Sequence, residues 1–186
     1  KAHFYGTSSG GIRAAAYAQA QPEAVDRLML CAFTYKGNGA AEIERRRKSI
    51  DALRASPRRS RDGDMIRSIF TRDGHLSLYD PAVPEAIIAA EMKFGNTIPS
   101  GTYLDMAANL PIVDPTKIKS PVLMVRGEFD GNSTNGDLLD FYRQLPNGDR
   151  QFVILPHTPH AVGYSNNRHL LWYAMKNFLA APAPTA

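Results

Sequence analysis

A serine flanked by glycines is the residue of this sequence that most directly suggests chemistry. In residues 6–10 (GTSSG), one glycine stands two residues before Ser8 and another stands two residues after it. Where such a run joins a strand to a helix, the turn is so sharp that the central hydroxyl projects above the sheet. We expect Gly6 and Gly10 to pack against each other and against the neighbouring strand, with Gly11 adding clearance.

The same pentapeptide has other interpretations. A turn rich in glycine and serine before a helix also serves as a plain N-cap or as a phosphate-binding loop. The Gly-Lys-Ser/Thr ending of a P-loop is absent. Ser9 is a second candidate nucleophile, but only Ser8 has glycines on both sides at a distance of two residues. The motif therefore indicates catalysis only if the chain also supplies a base and an acid.

Two later residues fit the roles of base and acid. A serine hydroxyl is a weak nucleophile until a base accepts its proton, and a carboxylate must orient that base. Asp130 follows the apolar run 121–125 (PVLMV), and His160 follows the apolar run 151–155 (QFVIL). Open α/β sheets build their sites at the carboxyl ends of strands. The sequence therefore predicts that Ser8 attacks, His160 accepts the proton and Asp130 orients His160.

Neighbouring residues compete for these roles. Glu128 lies closer to its strand than Asp130, and we expect it to pair with an arginine instead. His157 is the alternative base, and we favour His160. The two histidines have a spacing that could suggest a metal site, but a proline precedes each of them and no third ligand is evident. We therefore expect no metal and no cofactor.

The elements that must position these residues alternate between strand and helix. The predicted elements are strands at 2–5, 25–33, 121–125 and 151–155, and helices at 12–21, 136–145 and 168–179, followed by a frayed tail at 180–186. Continuous apolar runs such as 25–33 (VDRLMLCAF) are typical of parallel strands that are buried on both faces. We therefore predict an α/β protein with a mostly parallel, doubly wound sheet.

Residues 34–112 differ from the rest, since they are more polar and lack convincing strands. The helices predicted there lie near 41–55, 63–70, 84–94 and 102–109. We interpret 34–112 as a helical cap between a first core part, 1–33, and a C-terminal core part, 113–186, that carries the acid and the histidine. Packing within the cap is the favoured role for most of its apolar residues, and lining a pocket is the alternative: Met65, Ile66, Phe70, Met92, Phe94, Tyr103 and Met106.

Composition and charge narrow the possible classes of protein. The apolar fraction of 44% is that of a soluble globular protein, and no apolar run is long enough to span a membrane. The only cysteine, Cys31, excludes an internal disulfide and is expected to be buried. Residues 36–61 hold nine Lys or Arg against three Asp or Glu. That segment is either a solvated helix face or an attractive surface for an anion, and the lack of interleaved aromatic residues disfavours nucleic acid.

Together these segments resemble the α/β-hydrolase fold, in its cap-bearing serine esterase and peptidase form, from the nucleophile elbow onward. The matching segments are HFYGTSSGG, VDRLMLCAF, IKSPVLMVRGEFD, VILPHTPH and HLLWYAMKNFL. The resemblance implies that Ser8, Asp130 and His160 form a catalytic triad and that the backbone N–H of Ser9 is one donor of the oxyanion hole. The chain departs from the family where Pro-His-Thr-Pro, in place of a Gly-Ala-Gly-like turn, precedes His160.

The resemblance also implies partners. The fold normally has about four more strands before the elbow, and a loop among them donates the second oxyanion-hole N–H. We therefore expect the chain to be a truncated record, a proteolytic product or one half of a two-chain enzyme. The expected partners are a small-molecule acyl substrate and an N-terminal segment or second chain that completes the sheet, with no nucleic acid and no membrane span. A cytoplasmic and an exported protein fit equally.

The function implied by the resemblance is that of a serine hydrolase that acts on a carboxylic ester or related acyl substrate through an acyl-enzyme. Amide, lactone and thioester substrates fit equally. The same triad also serves acyltransferases, cofactor-free haloperoxidases and C–C bond hydrolases, and a non-catalytic ligand-binding receptor can keep the fold. Dehalogenases and soluble epoxide hydrolases are disfavoured, because they have an aspartate where Ser8 stands.

Overall fold

A parallel sheet forms the centre of the molecule. In this computed structural model, which describes residues 1–182, the strands are β1 (Ala2–Thr7), β2 (Val25–Cys31), β3 (Arg58–Ser60), β4 (Thr97–Pro99), β5 (Val122–Gly127) and β6 (Arg150–Leu155). The central sheet has the strand order β1-β2-β5-β6, and each neighbouring pair is parallel. The predicted α/β class with a mostly parallel sheet is confirmed.

Helices cover both faces of this sheet. The helices are α1 (Ser9–Ala20), α2 (Ala41–Arg47), α3 (Ile50–Ala55), α4 (Gly63–Thr71), α5 (Ala82–Glu91), α6 (Gly101–Ala108), α7 (Asn135–Gln144) and α8 (Arg168–Ala180). Side chains alternate between the two faces along a strand. Leu28 and Leu30 of β2 therefore pack with α1 and α7, whereas Met29 and Cys31 pack with α8. Burial on both faces explains why β2 is a continuous apolar run.

The predicted core elements are all present, with ends that differ by at most three residues from the predicted ones. The largest difference is at α1, which begins at Ser9 and not at residue 12. Of the predicted frayed tail, Ala180 belongs to α8, and residues 183–186 lie outside the described residues. Along residues 1–182, no helix has the length and apolarity that crossing a bilayer requires.

Residues 34–112 are mainly helical, but they also contain an antiparallel strand pair, β3 with β4. Arg58 lies opposite Pro99, and Ser60 lies opposite Thr97. The prediction of no strands in this segment is wrong, because three-residue strands are too short to show an alternating pattern. The predicted helix at 41–55 is interrupted at Lys48 and Ser49 and forms the two helices α2 and α3.

A small apolar cluster stabilises the middle of this segment. Ile66, Phe70 and Tyr79 are buried together, and the rings of Phe70 and Tyr79 meet edge to face with centroids 4.9 Å apart. The predicted packing role is thus confirmed for Ile66 and Phe70. It is wrong for Phe94, which is 92% exposed.

Candidate active site

The turn that carries Ser8 has a strained backbone. Ser8 has φ 53° and ψ −125° and immediately precedes the first residue of α1. A positive φ is unfavourable for a residue with a side chain, so surrounding bonds must hold it. The N–H of Ser8 donates to the carbonyl of Cys31 at the end of β2 (2.9 Å), and the N–H of Gly11 donates to the carbonyl of Ser8 (3.0 Å). These bonds fix the side chain above the carboxyl end of the sheet.

Of the two glycines that the sequence predicts to be required near this turn, Gly6 has no room for a side chain and Gly10 has room. A Cβ on Gly6 would lie 2.4 Å from the carbonyl oxygen of Gly10, so any side chain there forces the backbone to move. A Cβ on Gly11 would lie 3.3 Å from the ring of Phe33. A Cβ on Gly10 would meet no heavy atom within 4 Å among the described residues. The expected steric requirement at Gly10 is therefore wrong, because only its backbone approaches Gly6.

The structure brings Ser8, His160 and Asp130 together in one chain of hydrogen bonds. Oγ of Ser8 lies 3.0 Å from Nε2 of His160, and Nδ1 of His160 lies 2.8 Å from Oδ1 of Asp130. Asp130 is 2% exposed and His160 is 5% exposed. An ionised carboxylate can only accept hydrogen bonds, so Nδ1 carries the ring proton and its N–H donates a hydrogen bond to Asp130. Nε2 is then free to accept from the Ser8 hydroxyl.

The environment of Asp130 keeps it ionised. Burial alone would raise the pKa of Asp130, but the charge and hydrogen bond of His160, together with the Asn132 N–H, hold that pKa below its ordinary value. The guanidinium of Arg126 donates to the Asp130 carbonyl (2.8 Å) and to the Ser133 carbonyl (3.0 Å), which fixes the loop. A buried, ionised carboxylate beside Nδ1 is therefore placed to orient the imidazole ring.

Asn132 is a residue that sequence reasoning missed. Its side chain is buried, and Nδ2 lies 3.2 Å from Nε2 of His160. With the proton on Nδ1, the Asn132 amide donates to the same nitrogen that accepts from Ser8. The signal available in the sequence was the turn Asp130-Gly131-Asn132, in which the Asn132 N–H also donates to Oδ1 of Asp130 (2.8 Å).

Glu128 and His157, the alternative acid and the alternative base, make other contacts. The carboxylate of Glu128 accepts from the backbone N–H of His157 (2.8 Å), so the expected ion pair with an arginine is wrong. His157 is exposed, with φ 47°, and its ring contacts Phe129. Cys31 is buried as predicted, and burial raises the pKa of its thiol to about 12.

Two residues of the 34–112 segment hold the loop that carries His160. Oδ2 of Asp73 accepts from the backbone N–H of His160 (3.0 Å), and the hydroxyl of Tyr79 accepts from the N–H of Ala161 (3.2 Å). No local sequence pattern marks them, since each contact joins residues more than 80 positions apart. The segment is thus bonded directly to the loop of the candidate base.

A cleft of about 420 Å³ opens beside Ser8. It is bounded by Ser8 and Ser9 on the sheet side, by Tyr103 and Met106 of α6, and by several arginines. Ser9 is the first residue of α1, so its N–H has no acceptor within the helix and lies at the positive end of the helix dipole. Within the described residues, no group of three or more His, Cys, Asp or Glu side chains has a metal-binding arrangement.

The strand order, the turn at Ser8 and the three-residue hydrogen-bond chain at the carboxyl ends of β1, β5 and β6 together define a class of protein. The chain has the α/β-hydrolase fold. No protein-family model and no curated protein sequence matches it, so the fold is recognised from solved structures.

Three solved structures illustrate the similarity. A hydrolase from Pseudomonas aeruginosa PA01 matches with a TM-score of 0.66 and 21% identity over 97% of this chain. A thermophilic esterase from Thermogutta terrifontis matches with a TM-score of 0.64 and 21% identity over 96% of this chain. A bromoperoxidase from Bacillus anthracis matches with a TM-score of 0.65 and 16% identity over 95% of this chain. The matched parts are 65%, 64% and 66% of those chains. The chain thus spans less than two thirds of the length of each of these three structures.

Proposed function

We propose that the protein is a serine hydrolase that cleaves a carboxylic ester or a related acyl substrate through an acyl-enzyme. The observation that carries this proposal is the hydrogen-bond chain from Oγ of Ser8 through His160 to Asp130, at 3.0 and 2.8 Å. A ligand-binding protein has no need for a serine in a strained turn, a buried imidazole and an ionised carboxylate in this order. The esterase among the similar structures is consistent with the proposal.

The proposed reaction proceeds in two halves. Oγ of Ser8 forms a bond to the carbonyl carbon while Nε2 of His160 takes its proton, and Asp130 stabilises the imidazolium. His160 then returns the proton to the leaving oxygen as the C–O bond breaks. In the second half, water loses a proton to His160 and attacks the acyl carbon, and His160 returns that proton to Oγ of Ser8 as the bond between the acyl carbon and Oγ breaks.

The developing oxyanion needs donors, and we propose the backbone N–H of Ser9 as the first. A single donor of this kind contributes about 3 to 4 kcal/mol to lowering the barrier. We assign a second donor to a part of the whole protein that pairs with the β1 side of the sheet. This assignment is supported by the free edge of β1 among the described strands, where Tyr5 is 43% exposed. An N-terminal segment or a second chain is the partner proposed there.

We also propose that residues 34–112 act as a cap that covers the site and selects the substrate. Supporting contacts are those of Asp73 and Tyr79 with the His160 loop, and the position of Tyr103 on the wall of the cleft beside Ser8. The small-molecule acyl substrate would enter between this cap and the turn at Ser8.

Labelling with a fluorophosphonate probe tests the proposed nucleophile. These probes react with a serine only when a base activates it, so we expect the whole protein to be labelled and Ser8→Ala to lose labelling completely. Ser68→Ala, which removes an exposed hydroxyl from α4, is the matched control and is expected to label like the wild type. Labelling that persists in Ser8→Ala would exclude Ser8 as the nucleophile.

A further inference from the structure

Four arginines line the cleft beside Ser8. Arg13 lies on α1, Arg46 lies on α2, Arg59 belongs to β3, and Arg61 follows β3 directly. Among the described residues that line the cleft, none is acidic. Clustered positive charge in a concave site raises the local concentration of anions. The cleft therefore has an electrostatic character that ester hydrolysis by itself does not require.

Two of these arginines form ion pairs with carboxylates. Nη2 of Arg46 lies 3.1 Å from Oε1 of Glu42, and both side chains are buried. Nη2 of Arg61 lies 2.7 Å from Oε1 of Glu91. Among residues 1–182, Glu91 pairs with Arg61 alone, whereas Glu42 is shared by Arg45, Arg46 and Arg72, so that cluster keeps a net positive charge. Arg46 and Arg61 thus shape the cleft wall.

The other two arginines contact only neutral groups among the described residues. Arg13 donates to the hydroxyl of Thr102, which is neutral. Arg59 makes one long bond, 3.5 Å, to the carbonyl of Ser60, and its Nε is buried without an acceptor among residues 1–182. Neither Arg13 nor Arg59 forms an ion pair with a carboxylate of the described chain.

The guanidinium of Arg59 stacks on the ring of Tyr103. Its central carbon lies 3.4 Å from the centroid of the Tyr103 ring, and that of Arg46 lies 4.4 Å from the same centroid. Burial lowers the pKa of the Arg59 guanidinium, Tyr103 acts in the opposite direction, and the nearby charge of Arg46 lowers the pKa further. An anion beside Arg59 would offset the cost of burying its charge.

These contacts resolve the two interpretations of the basic segment 36–61. Some of its charges lie on a solvated face, where Arg45 pairs with Glu42 and Arg47 pairs with Glu44. Others face the cleft next to Ser8. The segment is therefore both a surface helix and a contributor to the site.

We propose that the substrate is an ester that also carries a carboxylate, and that Arg59, assisted by Arg13, binds this carboxylate while Ser8 attacks the ester carbonyl. This proposal rests on the serine hydrolase function proposed above and names its substrate class. Arginine binds a planar carboxylate through two parallel N–H donors, which fixes orientation as well as affinity. The carboxylate takes no part in bond making: water adds across the ester bond and an acid and an alcohol leave.

Half-esters of dicarboxylic acids provide the direct test. We expect kcat/KM for monomethyl glutarate to exceed that for methyl pentanoate, which has the same chain length and no charge, by roughly 10- to 100-fold. Acid release in a pH-stat measures both substrates in the whole protein. The preference is expected to shrink as sodium chloride is raised, since salt screens the partly exposed arginines.

Variants assign the preference to a residue. Arg59→Met is expected to lower the ratio of kcat/KM for monomethyl glutarate to kcat/KM for methyl pentanoate to within about twofold of unity. Arg54→Met is the matched control, because it removes one charge from the same basic segment at an exposed position on α3. It is expected to keep the preference. If Arg59→Met does not fold, Arg13→Met on the surface of α1 provides the same comparison.

A binding measurement separates this proposal from the proposed catalysis. Calorimetry with glutarate and with inorganic phosphate on Ser8→Ala requires no turnover, and we expect glutarate to bind more tightly and Arg59→Met to weaken it. Tighter binding of phosphate would overturn the carboxylate assignment. If Ser8 is labelled by the fluorophosphonate but the unlabelled enzyme shows no preference for the half-ester, only the proposed substrate class is overturned. Absence of labelling at Ser8, with glutarate still bound, would overturn the hydrolase function and leave the anion site.

Discussion

At the scale of single residues, the position of protons around His160 determines what the site can do. Asp130 accepts a hydrogen bond from the N–H at Nδ1, so Nε2 remains free to accept one from the Ser8 hydroxyl. The Asn132 amide lies 3.2 Å from the same Nε2. The Ser8 hydroxyl and the Asn132 amide therefore both lie within hydrogen-bond distance of one ring nitrogen.

The lowered pKa of Asp130 predicts how stability depends on pH. A carboxyl whose folded pKa lies below the ordinary 3.8 binds a proton more readily in the unfolded chain, so acid favours unfolding. The stability that Asp130 contributes is fully present above the ordinary value and is lost as the pH falls through the lower, folded value. Denaturant titrations between about pH 5 and pH 3 should show a steeper fall in the free energy of unfolding for the wild type than for Asp130→Asn.

The control for this experiment is Asp51→Asn, an exposed carboxyl on α3. Its pH dependence is expected to match that of the wild type. Equal slopes for the wild type and Asp130→Asn would contradict the picture of an ionised carboxylate held by His160.

At the scale of elements, the core strands could be predicted from the sequence, and the contacts between elements could not. The apolar runs of β2 and β5 follow from burial on both faces, which a single sequence displays directly. The pairing of β3 with β4 joins residues about 40 positions apart through three-residue strands. Asp73 and Arg59 acquire their roles only through such pairings and through packing of the 34–112 segment. The sequence alone could therefore predict the candidate triad but not the residues that surround it.

Asp73 is predicted to position the candidate base from the 34–112 segment. Asp73→Ala removes the acceptor for the His160 N–H (3.0 Å) and should lower kcat roughly 10- to 100-fold with little change in KM. Asp73→Asn keeps an oxygen acceptor in the same place and should restore most of the activity. Steady-state kinetics on an activated ester measure both variants.

Asp64→Ala is the comparison for this pair, since Asp64 is an exposed carboxylate of α4 in the same segment. It is expected to retain wild-type kcat. Equal loss of activity in Asp73→Ala and Asp73→Asn would show that the charge of Asp73, and not its hydrogen bond to the loop, is what matters.

At the scale of the whole molecule, two surfaces with different chemistry lie near the turn at Ser8. On one side, the described sheet ends at β1, with Tyr5 and Tyr17 exposed on and behind that edge. On the other side, the basic cleft faces the 34–112 segment. The parallel strand order was predictable because alternating strand and helix patterns permit few topologies. The charge of the cleft was not predictable, because the ion pairs of Arg46 and Arg61 and the unpaired state of Arg59 depend on the fold.

Direct observation of the acyl-enzyme is the most decisive measurement. The whole protein would be mixed with 4-nitrophenyl acetate, quenched in acid within milliseconds to seconds and analysed by peptide mass spectrometry. An acetyl group on the peptide that contains Ser8, formed in step with a burst of 4-nitrophenolate and absent from Ser8→Ala, is the predicted result. Ester turnover without an acetyl group on Ser8, or an adduct that persists in Ser8→Ala, would contradict it.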